Sequence, residues 1–274
     1  MRRSRNPRRA WAAALATLLV LAADCATVPV TGRSQLDLIP DGELNAMSLQ
    51  QYGQFLKQHK LSRSEKDIEL VRRVGGRIAG AGERYFAEKG DSQRVRGYKW
   101  EFNLVESKEA NAWCMPGGKV VVYTGILPLT KDETGLAVVL GHEISHAVAK
   151  HGAERMSQGL LAELGGVALS VAVSDRPAET QNAFMTAYGA AAEYGALLPY
   201  SRVHETEADE LGLVFMAVAG YDPNRAVSFW EDMKRAHGSQ EPPVFLNTHP
   251  SSSERIQNIK NFLPKALKYY RPQP

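Results

Sequence analysis

The stretch "VVLGHEISHAVAKH", Val138 to His151, carries two histidines four residues apart on an apolar run, with Glu143 beside the first. Upstream, Thr130 and Glu133 make a capping-box pattern, and Leu136, Val139, Leu140, Ile144 and Val148 fall at helical spacing. The stretch therefore reads as an α-helix. On that helix His142 and His146 are separated by about 400° of rotation, some 40° past one full turn, and by roughly 6 Å of rise. Both imidazoles reach one ion. Glu143 lies about 100° round from His142, which disfavours it as a third ligand but lets it lean over a metal-bound water. Zinc lowers the pKa of such a water from 15.7 to about 7. Glu143 is then the general base that takes the proton as the hydroxide attacks a carbonyl and returns it to the leaving amine. The competing reading, a core helix that happens to contain these residues, buries three polar side chains without evident partners, at a cost on the order of several kcal/mol.

Two histidines do not complete a catalytic site, which ordinarily has three protein ligands and one open position. A histidine six residues beyond His146 would extend the motif, but that position is Gly152, and His151 is out of phase by one residue. A carboxylate from elsewhere is the remaining option, and "HETEAD" supplies Glu205, Glu207 and Asp209. Glu205 and Asp209 are one helical turn apart on one face, so one can bind the metal while the other holds a ligand histidine. Spacing alone leaves Glu205 and Glu207 both open.

The rest of the chain bounds this reading. At 274 residues and 44% hydrophobic it can bury the core of one sizeable domain. Basic "MRRSRNPRR", then apolar "AWAAALATLLVLAA", then Asp24-Cys25 make a secretory-leader pattern over residues 1–24. Removing it takes five arginines and one aspartate out of the formal +3, leaving −1. The near-neutral remainder has no basic stripe with interleaved aromatics, so no nucleic-acid partner is expected. "LAADC" resembles a bacterial lipobox, although Asp24 stands where small residues are the rule. It implies acylation of Cys25 and a membrane tether, and Cys114 is then a small buried hydrophobe without a disulfide partner.

Residues 25–40 read as a tether, 41–263 as the domain and 264–274 as a tail. "DGELNAMSLQQYGQFLKQH" and "SEKDIELVRRVGGRIAGAGERYFAEKG" are helical, with Ser64 and Asp67 as a cap for the second. "YKWEFNLVES" and "KVVVYTGIL" read as strands, with a Pro116-Gly117-Gly118 turn between them. Ala162–Val173 is too short to span a bilayer and is broken by Gly165-Gly166. Helices follow over "SRVHETEADELGLVFMAVAG", over "DPNRAVSFWEDMKRAHG" with Asp222 as its cap, and over "SSSERIQNIKNFL" with a capping box from Ser251 to Glu254. The order gives an α+β fold, mostly helical, with a small antiparallel sheet.

Taken in order, "NAWCMPGG", "GHEISHAVAKH", "SRVHETEAD" and "NTHPSSSERI" resemble the HtpX-like zinc metallopeptidases, gluzincins that include the CAAX prenyl endopeptidases and the Oma-type protease. The similarity covers roughly Ser34 to Leu263. It implies a gluzincin-type domain, one zinc ion per chain, Glu205 rather than Glu207 as third ligand, and Asp209 holding a ligand histidine. It also implies that Lys119–Leu127, with Val120, Val121 and Val122, is the edge strand on which a peptide pairs, the alternative being an ordinary core strand; Asn111 and Ala112, just upstream, would line the cleft, with a plain turn as the other reading of Asn111. His249, before Pro250, is placed near the metal, either binding it in a resting state or steadying the oxyanion. Arg202 and Arg255 are candidates to pair with the site's carboxylates, and His204 stands behind the ligands at most. The expected protein is a zinc endopeptidase cleaving unfolded or damaged polypeptides in the periplasm, anchored to the outer membrane as a lipoprotein. The alternative is a zinc-containing chaperone or assembly factor with a latent site.

Overall fold

The computed structural model describes residues 25–192, 198–237 and 243–272; the leader expected over residues 1–24 lies outside them. β1 (Cys25–Thr27) pairs antiparallel with β2 (Ser34–Leu36), so the stretch expected as a tether holds a hairpin. α1 (Asp41–Gln58) and α2 (Glu65–Glu88) occupy the two periodic stretches. β3 (Glu101–Val105), β4 (Ala112–Met115) and β5 (Lys119–Tyr123) form one sheet in the order β3-β5-β4. There follow α3 (Leu127–Thr130), α4 (Glu133–Val148), α5 (His151–Val173), α6 (Ala178–Ala192), α7 (Leu198–Ala219), α8 (Arg225–His237), α9 (Phe245–Thr248) and α10 (Ser253–Ala266). The last helix runs three residues into the stretch expected as a tail.

The fold is α+β and mostly helical, as expected, but the sheet is mixed: β5 pairs parallel with β3 and antiparallel with β4. This corrects the placing of Val120, Val121 and Val122 on an edge. β5 has a partner on each side, and those three residues are fully buried. The sheet's edges are β3 and β4, the latter too short and too irregular in polarity to show a period of two. Gly117 and Gly118, both at positive φ, turn β4 into β5, and a Cβ on Gly118 would stand 2.9 Å from the Trp100 ring.

Two compact units share the chain. The smaller comprises 25–28, 32–40 and the described part of 153–202. In it, the Arg33 guanidinium grips Glu154 through two 2.7 Å bonds, and Ser157 Oγ accepts from the Leu38 backbone N–H at 3.1 Å. The glycine pair does not break α5. Tyr188 on α6 donates to the Ala162 carbonyl, and its hydroxyl sits where a Cβ on Gly165 would be. α5 therefore begins at His151 and reaches 23 residues, long and apolar enough by length and composition to cross a membrane. That corrects the reading of Ala162–Val173 as a run too short to span and broken at its glycines. Leu160, Leu161, Leu164, Val167 and Val171 along it are exposed.

The larger unit comprises 29–31, 41–152 and the described part of 203–274. α4 is its central helix. Every residue from Gly135 to Val148 is buried, which explains why its apolar residues surround it rather than forming one stripe. Ile78, Phe86, Phe215, Phe229 and Trp230 pack the same core, each contributing about 1.5–3 kcal/mol of burial. The cap of α4 is Asp132, which accepts from Gly135 N–H at 2.6 Å, rather than Thr130, whose hydroxyl bonds the Leu127 carbonyl. Likewise Ser252, not Ser251, caps α10 by accepting from Arg255 N–H. In both places the expected box lies within two residues of the true cap, the usual error of boundary reading.

Glu133 ties the start of α4 down. It accepts from Arg73 at 2.8 Å and from the Tyr221 hydroxyl at 2.6 Å. The Arg73 hydrogen bond, opposed by burial and helped by Tyr221, holds its carboxyl below the usual range. A depressed folded-state pKa contributes stability above the ordinary carboxylate range, and that contribution disappears as pH falls through the folded value. Glu133→Gln should therefore lower stability by about 1 kcal/mol at pH 7 and by progressively less toward pH 3. Urea midpoints at the two pH values measure this, and a gap independent of pH would contradict it.

Candidate metal centre

α4 and α7 cross at two glycines. A Cβ on Gly141 would lie 3.2 Å from the Gly212 carbonyl oxygen, and one on Gly212 3.0 Å from the Gly141 carbonyl carbon. Only hydrogen at these positions lets the backbones approach so closely. The crossing sits one residue before His142 and brings the Glu205–Asp209 turn of α7 over the two histidines. Neither glycine carries a signal in the sequence that distinguishes it from other helical glycines.

The donor atoms converge. His142 Nε2 lies 3.0 Å from His146 Nε2, and the Glu205 carboxylate is 3.3 Å from the first and 3.2 Å from the second. His249, turned inward after α9, brings Nδ1 to 3.0 Å from both His142 Nε2 and Glu205 Oε2. These four ligand atoms all lie within 4.8 Å of one another. A tetrahedral ion with arms of about 2.0–2.1 Å requires ligand–ligand edges of about 3.3 Å, and the separations match. Three imidazole nitrogens and a carboxylate suit a borderline divalent metal.

Behind the ligands, His142 Nδ1 stands 2.9 Å from Asp209 Oδ1, and Arg255 clasps Asp209 through Nε at 2.7 Å and a terminal nitrogen at 2.8 Å. Arg255 also reaches Glu205 at 3.1 Å and stacks its guanidinium on the Trp230 ring at 3.4 Å. Burial raises the carboxyls of Glu205 and Asp209. The imidazoles of His146 and His142 nevertheless hold Glu205 far below the usual range, and Arg255 with His142 does the same for Asp209. Burial pulls the His146 imidazolium well below its ordinary value, with Glu205 opposing. Burial and Arg255 also press on His142, yet Glu205 and Asp209 outweigh them and raise it. Ionised carboxylates facing Nε2 atoms form a field that favours a cation at the point of convergence.

Glu143 is buried beside the cluster, with Oε1 3.3 Å from His249 Nε2. β4 lies close to it: desolvation raises the Cys114 thiol, and the Glu143 carboxylate adds to that rise. Ala112 is on β4, and Asn111 just before it uses its side-chain oxygen to accept from Ala112 N–H, the local role of a turn residue. Arg202 is exposed, and His204 is fully buried, stacked on His151. Glu207, the ligand that spacing left open, sits apart from the cluster and meets His151.

A mostly helical domain with HExxH on a core helix and a carboxylate from a second helix defines a metal-dependent hydrolase of the gluzincin type. The chain belongs to peptidase family M48, whose profile matches residues 77–263. It is 41% identical over 169 residues to mitochondrial metalloendopeptidase OMA1 of Schizosaccharomyces pombe, covering 61% of this chain and 48% of that protein. It is 32% identical over 246 residues to the mitochondrial metalloendopeptidase OMA1 of Bos taurus, covering 88% and 46%. To the beta-barrel assembly-enhancing protease of Escherichia coli it is 29% identical over 170 residues, covering 59% and 34%. The chain thus spans about half the length of the curated relatives it matches, or less.

The expected location, a periplasmic lipoprotein of the outer membrane, is corrected by these relatives. Those matching over most of this chain are named as mitochondrial enzymes. An arginine-rich leader poor in acids is common to secretory and mitochondrial targeting, so its charge does not choose between them.

Proposed function

We propose that the chain is a zinc-dependent endopeptidase acting on unfolded or damaged polypeptides, with His142, His146 and Glu205 as the ligands and Glu143 as general base. The observation that carries the reading is the convergence of two Nε2 atoms and the Glu205 carboxylate on one point with Glu143 alongside. Zinc, when bound, acidifies a water molecule and polarises a carbonyl oxygen. Glu143 accepts the water's proton on a carboxylate oxygen and delivers it to the leaving nitrogen. Asp209, itself fixed by Arg255, accepts from His142 Nδ1 and so keeps the Nε2 lone pair turned toward the cation. The side of β4 away from β5 has no strand paired to it in the sheet and offers backbone groups for an extended substrate to pair, which selects for unfolded chain rather than for a particular sequence.

His249 favours a second reading of the resting state. Its Nδ1, 3.0 Å from both His142 Nε2 and Glu205 Oε2, would compete with a substrate for the ion. Dialysis against a chelator should abolish cleavage of unfolded casein, and one equivalent of zinc should restore it. Retained cleavage in metal-free protein would end the proposal. In the same assay His249→Ala should raise the basal rate if the imidazole blocks the site, whereas a fall would assign it to the oxyanion.

A further inference from the structure

The histidine that is out of phase with the motif meets the site from behind. Lys150, at φ 59°, ends α4 in a left-handed turn, and this drops His151 beside His146 instead of continuing the helix away from it. His151 Nδ1 lies 2.9 Å from His146 Nδ1, and His151 Nε2 lies 3.2 Å from Glu207 Oε2. The other oxygen of Glu207 accepts from the Thr31 hydroxyl at 2.8 Å. His151 is fully buried, Glu207 nearly so, and the His204 ring stacks on His151 at 4.4 Å and 15°, fixing its plane.

From this we infer that His151 and Glu207 are the positioning pair of His146, as Asp209 is for His142. The inference rests on the metal-site reading above. Between two facing Nδ1 atoms one proton is shared, and the direction follows from the far ends. His146 Nε2 faces the other ligand atoms and must keep its lone pair free to bind a cation, so its proton is on Nδ1 and is donated to His151 Nδ1. His151 then carries its own proton on Nε2 and donates it to the Glu207 carboxylate. This single arrangement satisfies every nitrogen of the two rings. It locks the His146 tautomer and ring angle and lends the ligand basicity through a buried anion. The two glutamates of "ETEAD", Glu205 and Glu207, thus act on opposite nitrogens of one imidazole, the first beside the metal site and the second through His151.

The test uses the full chain loaded with zinc or with cobalt. His151→Phe keeps the ring shape and the stack on His204 but removes the acceptor. It should weaken zinc binding about 10–100-fold, read by competition with a chromogenic chelator, and should shift the visible absorption of the Co²⁺-loaded protein. His151→Gln, whose amide oxygen can accept and whose nitrogen can donate, should recover part of the affinity. Glu207→Gln should weaken zinc less than His151→Phe does, because an amide oxygen still accepts from His151 Nε2. An unchanged zinc affinity and cobalt spectrum in His151→Phe would overturn the inference, as would equal losses in His151→Phe and His151→Gln. If His151→Phe does not fold, Glu207→Gln decides on the same two readouts, and unchanged values there overturn the inference. Failure of the underlying metal site looks different: the unaltered chain would not bind one zinc at all.

Discussion

Glu143→Gln should leave one zinc bound per chain and lower the rate of casein cleavage by about 10²–10⁴-fold, the contribution typical of a positioned general base. That corresponds to roughly 2.7–5.5 kcal/mol of transition-state stabilisation. The amide has the same shape as the carboxylate but no basic oxygen for the water's proton. In the cluster its Oε1 lies 3.3 Å from His249 Nε2, a contact that an amide oxygen keeps. Metal content and rate should therefore separate cleanly. Undiminished cleavage would remove Glu143 from its role, and loss of zinc would show that it helps hold the metal instead.

Glu205→Ala should empty the site. The substitution takes away the one carboxylate among the four proposed donors, leaves His142 Nε2 and His146 Nε2 3.0 Å apart without the anion that faces both, and strips Arg255 of a partner at 3.1 Å. The loss of affinity should exceed the roughly 10–100-fold that follows removal of an outer hydrogen-bond partner, so the purified variant should contain well under one zinc and be inactive. A buried guanidinium that has lost one of two carboxylates also destabilises the fold, and a lower melting temperature should accompany the metal loss. Glu205→Gln separates the two effects: it keeps the volume and a weak oxygen ligand, so its fold should recover more than its zinc. Full zinc occupancy in Glu205→Ala would mean that His249 or another residue completes the site.

Both predictions use residues that are legible in the amino-acid sequence, though to different depths. Glu143 is legible because one helical turn fixes the angles among residues 142, 143 and 146. Glu205 is legible only as one of two candidates: it and Glu207 differ by two positions on the same helix, and choosing between them by residue alone needs the family resemblance. The edge strand is misplaced by sequence reasoning for a related reason. "KVVVY" is the most strand-like run in the chain, and for that reason it goes to the centre of the sheet, where both faces and both edges are covered. The weaker "AWCM" forms one of the two edges.

Whatever depends on neighbours within a turn or two, namely the course of the HExxH helix, the pairing of ligands with a base and the one-turn link from Glu205 to Asp209, follows from 3.6-residue periodicity and needs no tertiary structure. What that periodicity leaves undetermined is distance between elements. The contact of Gly141 with Gly212 brings α7 within reach of the histidines, the turn at Lys150 delivers His151 to the far nitrogen of His146, and the chain after α9 carries His249 to within 3.0 Å of His142 Nε2. Each is a meeting of segments distant in sequence, or a backbone reversal that a lysine rarely adopts, so it is settled by how the core packs rather than by any local pattern.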